Sequence, residues 1–229
     1  MEIRVGKCGA VLFDLDGTLL DTPGAAVPLI RRVVARSGRP MPPAHRIRCG
    51  ADRPLEPFLA GLLGVPPGHG LVRLSANRFQ ALFRERVLPV AGRLVFPGMP
   101  ELLTDLRASG HSVAVITGRS RAAAQELLGA AGLLTKVDLV VGDWMTPRGK
   151  PSADPALLAA RSLALPPENC VVVGDAVDDM LMASSAGMRA VGVTFGVDGA
   201  GALVAAGAGW LAASAAELDG LLRPRVRHG

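Results

Sequence analysis

The chain has 229 residues, of which 49% are hydrophobic and 20% charged, with a formal net charge of +5. A chain of this length and balance buries one full core, with room for a small second domain, and is not disordered. No run reaches the ~18 apolar residues that a membrane span requires. Asp14 and Asp16 interrupt the apolar stretch near the amino terminus, so we expect no signal peptide. The three cysteines share no metal-ligand spacing, which favours a cytoplasmic protein.

The basic charge is concentrated in one segment. Residues 24–95 contain twelve arginines, no lysine and three acids, a net charge of +9, so the remainder carries −4. Such a separation predicts an electrostatic guide for anionic ligands. A general bias towards arginine would produce the same count, so both explanations stay open at this point.

Five short apolar runs predict strands that are buried on both faces, as in a parallel sheet; they span 10–13, 113–116, 137–141, 171–173 and 190–193. Amphipathic helical patterns separate the later strands, at 101–109, 121–131, 155–164 and 178–186. This alternation predicts an α/β fold with a doubly wound parallel sheet, a Rossmann-like core.

The stretch between the first and second strands breaks this alternation. It contains helical patterns at 25–37, 55–63 and 71–87, and Pro-Gly pairs at 23–24 and 97–98 mark its borders. We therefore predict a helical cap domain, residues 24–95, inserted into a catalytic core formed by 1–23 and 96–229. The two connections are candidates for hinges.

Two aspartates follow the first predicted strand, in the segment Phe13-Asp14-Leu15-Asp16-Gly17-Thr18. Because residues i and i+2 of an extended chain face the same side, Asp14 and Asp16 can point into one crevice. Two uncompensated carboxylates there would be costly, so a cation is expected nearby. Two solvated acids at a strand end are the structural alternative.

A second acidic segment follows the fourth predicted strand. Asp175 lies at the strand end, and Asp179 falls one turn into the next helix, from where it can reach back to the same place. Oxygen-only ligands of this kind suit Mg²⁺. Acids that complement the dipole of a helix N-terminus are the structural alternative.

Two further signals lie between these acidic segments. Thr117 and Gly118 end the second predicted strand at what we expect to be a helix start, where backbone N–H groups can bind phosphate oxygens. Lys150 precedes the helix that begins near Asp154, and it is one of only three lysines beside 22 arginines. Taken singly, each of these signals favours a structural role over a catalytic one.

The four signals occur in one order along the chain: Asp14-x-Asp16-Gly-Thr, Thr117, Lys150-Pro151, and Gly-Asp175-x-x-x-Asp179. This order resembles the four motifs of the haloacid dehalogenase superfamily, and the resemblance covers the whole chain. The helical insert resembles the cap of the phosphoglycolate phosphatase and β-phosphoglucomutase-like branch. In that family the first and fourth motif strands lie side by side, at the switch point where open α/β sheets bind ligands.

The resemblance implies an Mg²⁺-dependent phosphatase acting on a small phosphorylated substrate. Asp14 would attack phosphorus and form an aspartyl-phosphate, and Asp16 would act as general acid and base. Asp14, the backbone carbonyl of Asp16, and Asp175 would hold Mg²⁺, with Asp179 in support. The phosphoryl oxygens would be bound by Thr117, Gly118 and Lys150.

Other activities are weighed against this hypothesis. Asp16 argues against a dehalogenase, and the absence of lysine from 24–95 argues against a phosphonoacetaldehyde hydrolase. Ala26 stands where β-phosphoglucomutase-like enzymes carry a histidine, which argues against a phosphomutase. A pseudoenzyme is disfavoured by the four aspartates, and an anion- or nucleic-acid-binding module by the 3% aromatic content. We expect the protein to bind neither nucleic acid nor membranes. We expect its oligomeric state to be a monomer or a weak dimer. Phosphoglycolate, a sugar phosphate or a phosphorylated secondary metabolite remain open as substrate.

Overall fold

The computed structural model describes residues 8–48, 50 and 53–222. Its strands are β1 (Ala10–Phe13), β2 (Ser112–Ser120), β3 (Leu139–Asp143), β4 (Cys170–Gly174), β5 (Arg189–Val193) and β6 (Trp210–Ala212). Its α-helices are α1 (Thr22–Ala35), α2 (Ala44–Arg48), α3 (Leu55–Leu63), α4 (Gly70–Arg86), α5 (Met99–Ala108), α6 (Arg121–Ala130), α7 (Asp154–Ser162), α8 (Val177–Ser185), α9 (Ala200–Ala205) and α10 (Ala215–Leu222). Within these ranges no helix is both long and apolar enough to cross a membrane.

The six strands form one parallel sheet in the order β3-β2-β1-β4-β5-β6. Strand β1 pairs with β2 on one side and with β4 on the other, so the chain reverses its direction of winding at β1. The predicted α/β fold with a doubly wound parallel sheet is confirmed. The short edge strand β6 was not predicted, because three residues give too brief a pattern to distinguish a strand from a loop.

Both faces of the sheet are covered, which explains why its central strands are continuously apolar. Val11 and Phe13 of β1 belong to a core on one face, together with residues of α5, α6 and α10. Ala10 and Leu12 belong to a second core on the other face, with residues of α7, α8 and α9. Alternate residues of β1 thus pack in opposite directions, and all four are fully buried.

The cysteines in the described part of the chain have a packing role. Cys8 and Cys170 are free and buried. Burial raises the pKa of the Cys170 thiol to about 11, and it also raises the pKa of Cys8. Neither side chain is therefore a thiolate near neutral pH, as expected of small buried hydrophobes. Cys49 lies outside the described residues.

The insert after β1 contains the three predicted helices, as α1, α3 and α4. The short helix α2 and the 3-10 helix Leu88–Arg93 were not predicted. The Pro-Gly pair at 23–24, taken from the sequence as a linker, instead forms the first turn of α1, where Gly24 N–H donates to Asp21 Oδ1 at 3.1 Å. Proline suits this turn because its missing N–H would have no partner inside the helix.

The two connections between the insert and the sheet run beside each other. Leu20 and Val95 form an antiparallel bridge. Asp21 N–H donates to Leu94 O at 2.8 Å, and Phe96 N–H donates to Leu19 O at 3.1 Å. The insert is thus joined to the sheet by a short two-stranded connection at residues 19–21 and 94–96.

Candidate active site

Asp14 continues the hydrogen bonding of β1 beyond its last residue. Its N–H donates to Val173 O of β4 at 2.8 Å, which places its side chain at the carboxyl edge of the sheet. That side chain is 1% exposed, and its Oδ1 lies 2.6 Å from Lys150 Nζ. Asp14 and Lys150, which are 136 residues apart in the chain, are thus brought into direct contact.

A tight turn follows Asp14 and brings the chain against Asp175. Gly17 has φ +104, and a Cβ at this position would lie 2.2 Å from Asp175 Oδ2. Only glycine satisfies both the backbone conformation and the close approach. The next residue, Thr18, donates its hydroxyl to Asp175 Oδ1 at 2.8 Å. The Asp-x-Asp-Gly-Thr segment therefore helps to orient the carboxylate of the fourth motif.

Helix α8 places Asp179 over the end of β4. Asp179 Oδ2 accepts a hydrogen bond from Ala176 N–H at 3.2 Å, which caps the helix. Its other oxygen, Oδ1, lies 2.8 Å from Lys150 Nζ. Asp179 thus reaches back to the strand end, as predicted, and shares Lys150 with Asp14.

The loop after β5 supplies contacts that the sequence did not indicate. Val197 N–H donates to Asp175 Oδ2 at 2.7 Å, so both oxygens of that carboxylate are held by hydrogen bonds. Asp198 N–H donates to Asp175 O at 3.0 Å, and Asp198 Oδ2 accepts from Val177 N–H at 2.8 Å. Backbone donors carry no side-chain signature, so no motif could have identified Val197.

Asp16 occupies a different environment from the other three aspartates. Its carboxylate accepts two hydrogen bonds from Arg119, Nε to Oδ2 and Nη2 to Oδ1, both at 2.7 Å. Thr22 Oγ1 of α1 also donates to Asp16 Oδ1. Sequence reasoning missed both partners. Thr22 lies beyond the first motif, and Arg119 was one arginine among 22, although its place two residues after Thr117 was a usable signal.

Thr117 and Gly118 lie near the end of the sheet, but not at a helix start as predicted. Strand β2 extends to Ser120, and α6 begins at Arg121 with the Ser120 hydroxyl accepting from Ala123 N–H at 3.3 Å. A register shift between Ile116 and Ser120 in the pairing with β3 lengthens the strand. Residues 117 and 118 therefore do not belong to the N-terminal turn of α6. The groups in this segment that could bind phosphate are the Thr117 hydroxyl and the backbone amides of the segment itself.

A cavity of about 170 Å³ opens beside these groups, lined among others by Thr117, Gly118, Lys150, Asp143, Asp178 and Arg53. Desolvation raises the pKa of Asp143, partly offset by a hydrogen bond from the Trp144 backbone. Arg53, between α2 and α3, brings one basic side chain of the insert to the cavity. Arg31 and Arg32, which belong to the same basic segment, are exposed on α1 and do not line the cavity.

The buried groups of the site carry an excess of negative charge. Asp14, Asp16, Asp175 and Asp179 are each at most 2% exposed. Among the described residues, Lys150 and Arg119, whose side chains are 7% and 16% exposed, contact three of these four carboxylates, so these six side chains carry a net charge of −2. Burial of unbalanced charge is costly, so the site favours a divalent cation.

The donor set fits Mg²⁺. One carboxylate oxygen each from Asp14, Asp175 and Asp179 lies within 4.8 Å of the others, and all three residues are buried. Hard oxygen donors without nitrogen or sulfur are the ligands that Mg²⁺ prefers. The side chain of Asp16 is directed to Arg119 and Thr22 instead, so only its backbone carbonyl remains as its predicted contribution to a metal site.

Known proteins share both sequence and fold with this chain. The family model of the haloacid dehalogenase-like hydrolases matches residues 8–187. A Dickeya dadantii protein named "Probable phosphatase IndB" is 41% identical over 187 residues, covering 82% of this chain and 81% of that protein. A phosphoglycolate phosphatase from Cupriavidus necator is 32% identical over 219 residues, covering 95% and 94%.

Solved structures show the same architecture. The structure of a haloacid dehalogenase-like family protein from Streptococcus pneumoniae superposes with a TM-score of 0.76, at 24% identity, over 92% of this chain and 96% of that one. The family model and the Dickeya dadantii and Cupriavidus necator relatives confirm the superfamily and the phosphatase type of enzyme predicted from the motifs. The chain belongs to the haloacid dehalogenase-like hydrolase family.

Proposed function

We propose that the protein is an Mg²⁺-dependent phosphomonoester hydrolase that works through an aspartyl-phosphate on Asp14. The observation that carries this proposal is the position of Asp14 at the end of β1. It touches Lys150 and lies beside Asp175 and Asp179, at the edge of the sheet where the Thr117–Gly118 cavity opens. The Asp14 carboxylate thus supplies a nucleophile, contacts the ammonium group of Lys150 and forms part of a candidate metal site. Phosphoryl transfer requires this combination of a nucleophile and positive charge.

The reaction would proceed in two displacements. First, an Asp14 oxygen forms a bond to phosphorus as the ester P–O bond breaks, and Asp16, which must be protonated when the ester is bound, donates its proton to the departing oxygen. Water then attacks the phosphorus of the aspartyl-phosphate, Asp16 takes up a proton from that water, and the Asp14 carboxylate is released with inorganic phosphate. Asp16 returns to its starting protonation state after both steps.

Charge stabilisation would come from residues around the cavity. Thr117, Gly118 and Lys150 would bind the phosphoryl oxygens through a hydroxyl, a backbone amide and an ammonium group. Asp14, Asp175 and the backbone carbonyl of Asp16 would hold Mg²⁺, with Asp179 in support. When bound, Mg²⁺ supplies positive charge to the phosphoryl oxygens during transfer.

The substrate would be a small phosphate ester. The cavity of about 170 Å³ is smaller than the ~300–1,000 Å³ pockets that hold drug-sized ligands. Relatives are named for phosphoglycolate and for N-acetylmuramic acid 6-phosphate. Phosphoglycolate, sugar phosphates and phosphorylated secondary metabolites therefore form the first panel of esters to assay for kcat/KM.

The helical segment 24–95 would act as a cap over the cavity. Arg53 lines the cavity from that segment, and the paired connections at residues 19–21 and 94–96 are the candidate hinges. Closure would exclude water during transfer, and opening would release product.

Asp16→Asn should impair hydrolysis in proportion to the need for leaving-group protonation. An amide cannot donate the proton, so kcat for an alkyl phosphate should fall by roughly 10²–10⁴-fold. Formation of the aspartyl-phosphate from an aryl phosphate, whose phenolate leaves without protonation, should be slowed much less. Rapid-quench measurement of that step with both esters checks this, and equal losses would argue against the acid role.

Arg53→Gln should weaken substrate capture more than chemistry. Its charge lies at the cavity in a basic segment, so its loss should lower kcat/KM, leave kcat nearly unchanged and flatten the dependence of kcat/KM on ionic strength. Arg31→Gln removes the same charge from the exposed face of α1 and is the matched control. If the two variants behave alike from low to high salt, Arg53 has no special role in capture.

A further inference from the structure

Arg119 makes a two-pronged ion pair with Asp16. Both N–H···O distances are 2.7 Å, the Asp16 side chain is fully buried, and the Arg119 side chain is 16% exposed. A planar guanidinium bound through two parallel hydrogen bonds fixes the plane of a carboxylate as well as its position. Arg119 is therefore placed to determine where the two Asp16 oxygens point.

The face of the same guanidinium is covered by the inserted segment. Arg119 Cζ lies 4.6 Å from the ring centroid of Phe83 in α4. Phe83 is itself buried, and its ring centroid is 5.8 Å from that of Phe79 on the same helix. This cation–π contact joins the sheet-borne Arg119 to a helix of the insert.

A second helix of the insert reaches Asp16 directly. Thr22, the first residue of α1, donates to Asp16 Oδ1, the oxygen that Arg119 Nη2 also contacts. Asp16 is thus held from the insert by two routes: one through Thr22 and one through Phe83 and Arg119.

We propose that Arg119 is a positioning residue for Asp16, and that Phe83 ties this positioning to helix α4. The inference rests on the proposed acid–base role of Asp16. A carboxylate torsion is broad on its own, so an unsupported Asp16 would sample orientations that miss the ester oxygen. Arg119 narrows the range of Asp16 orientations. Phe83 packs against the guanidinium and keeps its plane aligned with the Asp16 carboxylate.

The chief rival explanation is direct substrate binding by Arg119. An arginine near the cavity can bind an anionic group of the substrate, and its loss would then raise KM for every ester. Positioning of Asp16 predicts a different pattern. It predicts that formation of the aspartyl-phosphate slows for esters with poor leaving groups, that this step slows less for aryl phosphates, and that KM changes little.

The experiment measures the rate of aspartyl-phosphate formation by rapid quench, together with KM, for the wild type, Asp16→Asn, Arg119→Gln, Arg119→Lys and Phe83→Leu with one alkyl and one aryl phosphate. For Arg119→Gln we expect this rate on the alkyl ester to fall ~10–100-fold, the range found for residues that orient a metal ligand. Arg119→Lys keeps the positive charge but lacks the two parallel N–H donors of the guanidinium, so it should recover little of the lost rate. Phe83→Leu should show the same preference for the aryl ester at ~2- to 5-fold.

Arg84→Gln is the matched control. Arg84 lies next to Phe83 in α4 and makes an exposed ion pair with Glu126 of α6 at 3.3 Å, so it also links the insert to the sheet layer. Its replacement should leave the alkyl-to-aryl ratio unchanged. Because a loss of folded protein lowers both rates equally, the alkyl-to-aryl ratio separates positioning from destabilisation. Since Phe83 acts through Arg119 in this proposal, the double variant Phe83→Leu/Arg119→Gln should have the same ratio as Arg119→Gln.

Three outcomes would overturn the inference: equal losses on both esters, a change confined to KM, or full recovery by Arg119→Lys. If Asp16→Asn shows the leaving-group pattern and Arg119→Gln does not, the inference alone fails. If the wild type hydrolyses neither ester, or Asp16→Asn shows no such pattern, the proposed function fails in its acid–base step and the inference falls with it.

Discussion

Asp14→Asn should abolish turnover, with a loss in kcat of at least ~10⁴-fold, the order seen when a covalent nucleophile is removed. An amide oxygen in this position cannot form the aspartyl-phosphate. The contact between residue 14 and Lys150, now 2.6 Å, would also lose its charge pairing. Phosphate release from the best ester of the panel, measured with purified variant, checks this expectation.

The folded state should survive this substitution. Four buried carboxylates face two cations in the described site, so removal of one negative charge relieves repulsion when metal is absent. In metal-free buffer the Tm of Asp14→Asn should equal or exceed that of the wild type. A variant that stays folded yet keeps a tenth of wild-type activity would contradict covalent catalysis by Asp14.

Removal of divalent metal should silence the enzyme, and added Mg²⁺ should restore it while Ca²⁺ does so poorly. Three buried carboxylates supply an oxygen-only donor set, and the tight octahedral shell of Mg²⁺ holds in-line geometry better than the looser shell of Ca²⁺. Turnover in EDTA, before and after addition of each cation, is the measurement. Full activity in metal-free buffer would rule out a catalytic metal at Asp175.

Metal binding can be followed without turnover. A ligand that binds only the folded state adds about 2.7 kcal/mol of stability at one hundred times its dissociation constant, so Mg²⁺ should raise the Tm of the wild type. Asp175→Asn should lose most of this increase. Glu126→Gln, which removes an exposed carboxylate on α6, is the control and should keep it. Equal Tm increases in both variants would place the bound ion elsewhere.

The sheet was predictable because its central strands are buried on both faces. Runs such as 10–13 and 171–173 are apolar at every position, as expected of strands in a parallel sheet that is covered on both faces. Elements with weaker patterns were missed, namely β6, α2 and the C-terminal helices α9 and α10. The end of β2 was placed too early because Thr117 and Gly118 resemble a turn, whereas pairing with β3 continues to Ser120.

The candidate site was predictable where the chain itself brings residues together. Asp14 and Asp16 are two residues apart, Asp175 and Asp179 are four apart, and parallel strands deliver both pairs to one edge. The partners of Asp16 were not predictable in this way. Arg119 is separated from it by 103 residues, and its contact depends on the extended end of β2 and on Phe83. This contact depends on tertiary packing, which a local sequence pattern does not reveal.

Trapping the covalent intermediate tests the central claim most directly. Wild-type protein and Asp14→Asn are mixed with an aryl phosphate labelled at phosphorus, quenched in acid within the first turnovers, digested and mapped by mass spectrometry. We predict label on the wild-type peptide that contains Asp14, its loss on treatment with hydroxylamine, and no label on the variant. Turnover without a labelled peptide, or label on a peptide that lacks Asp14, would contradict the account.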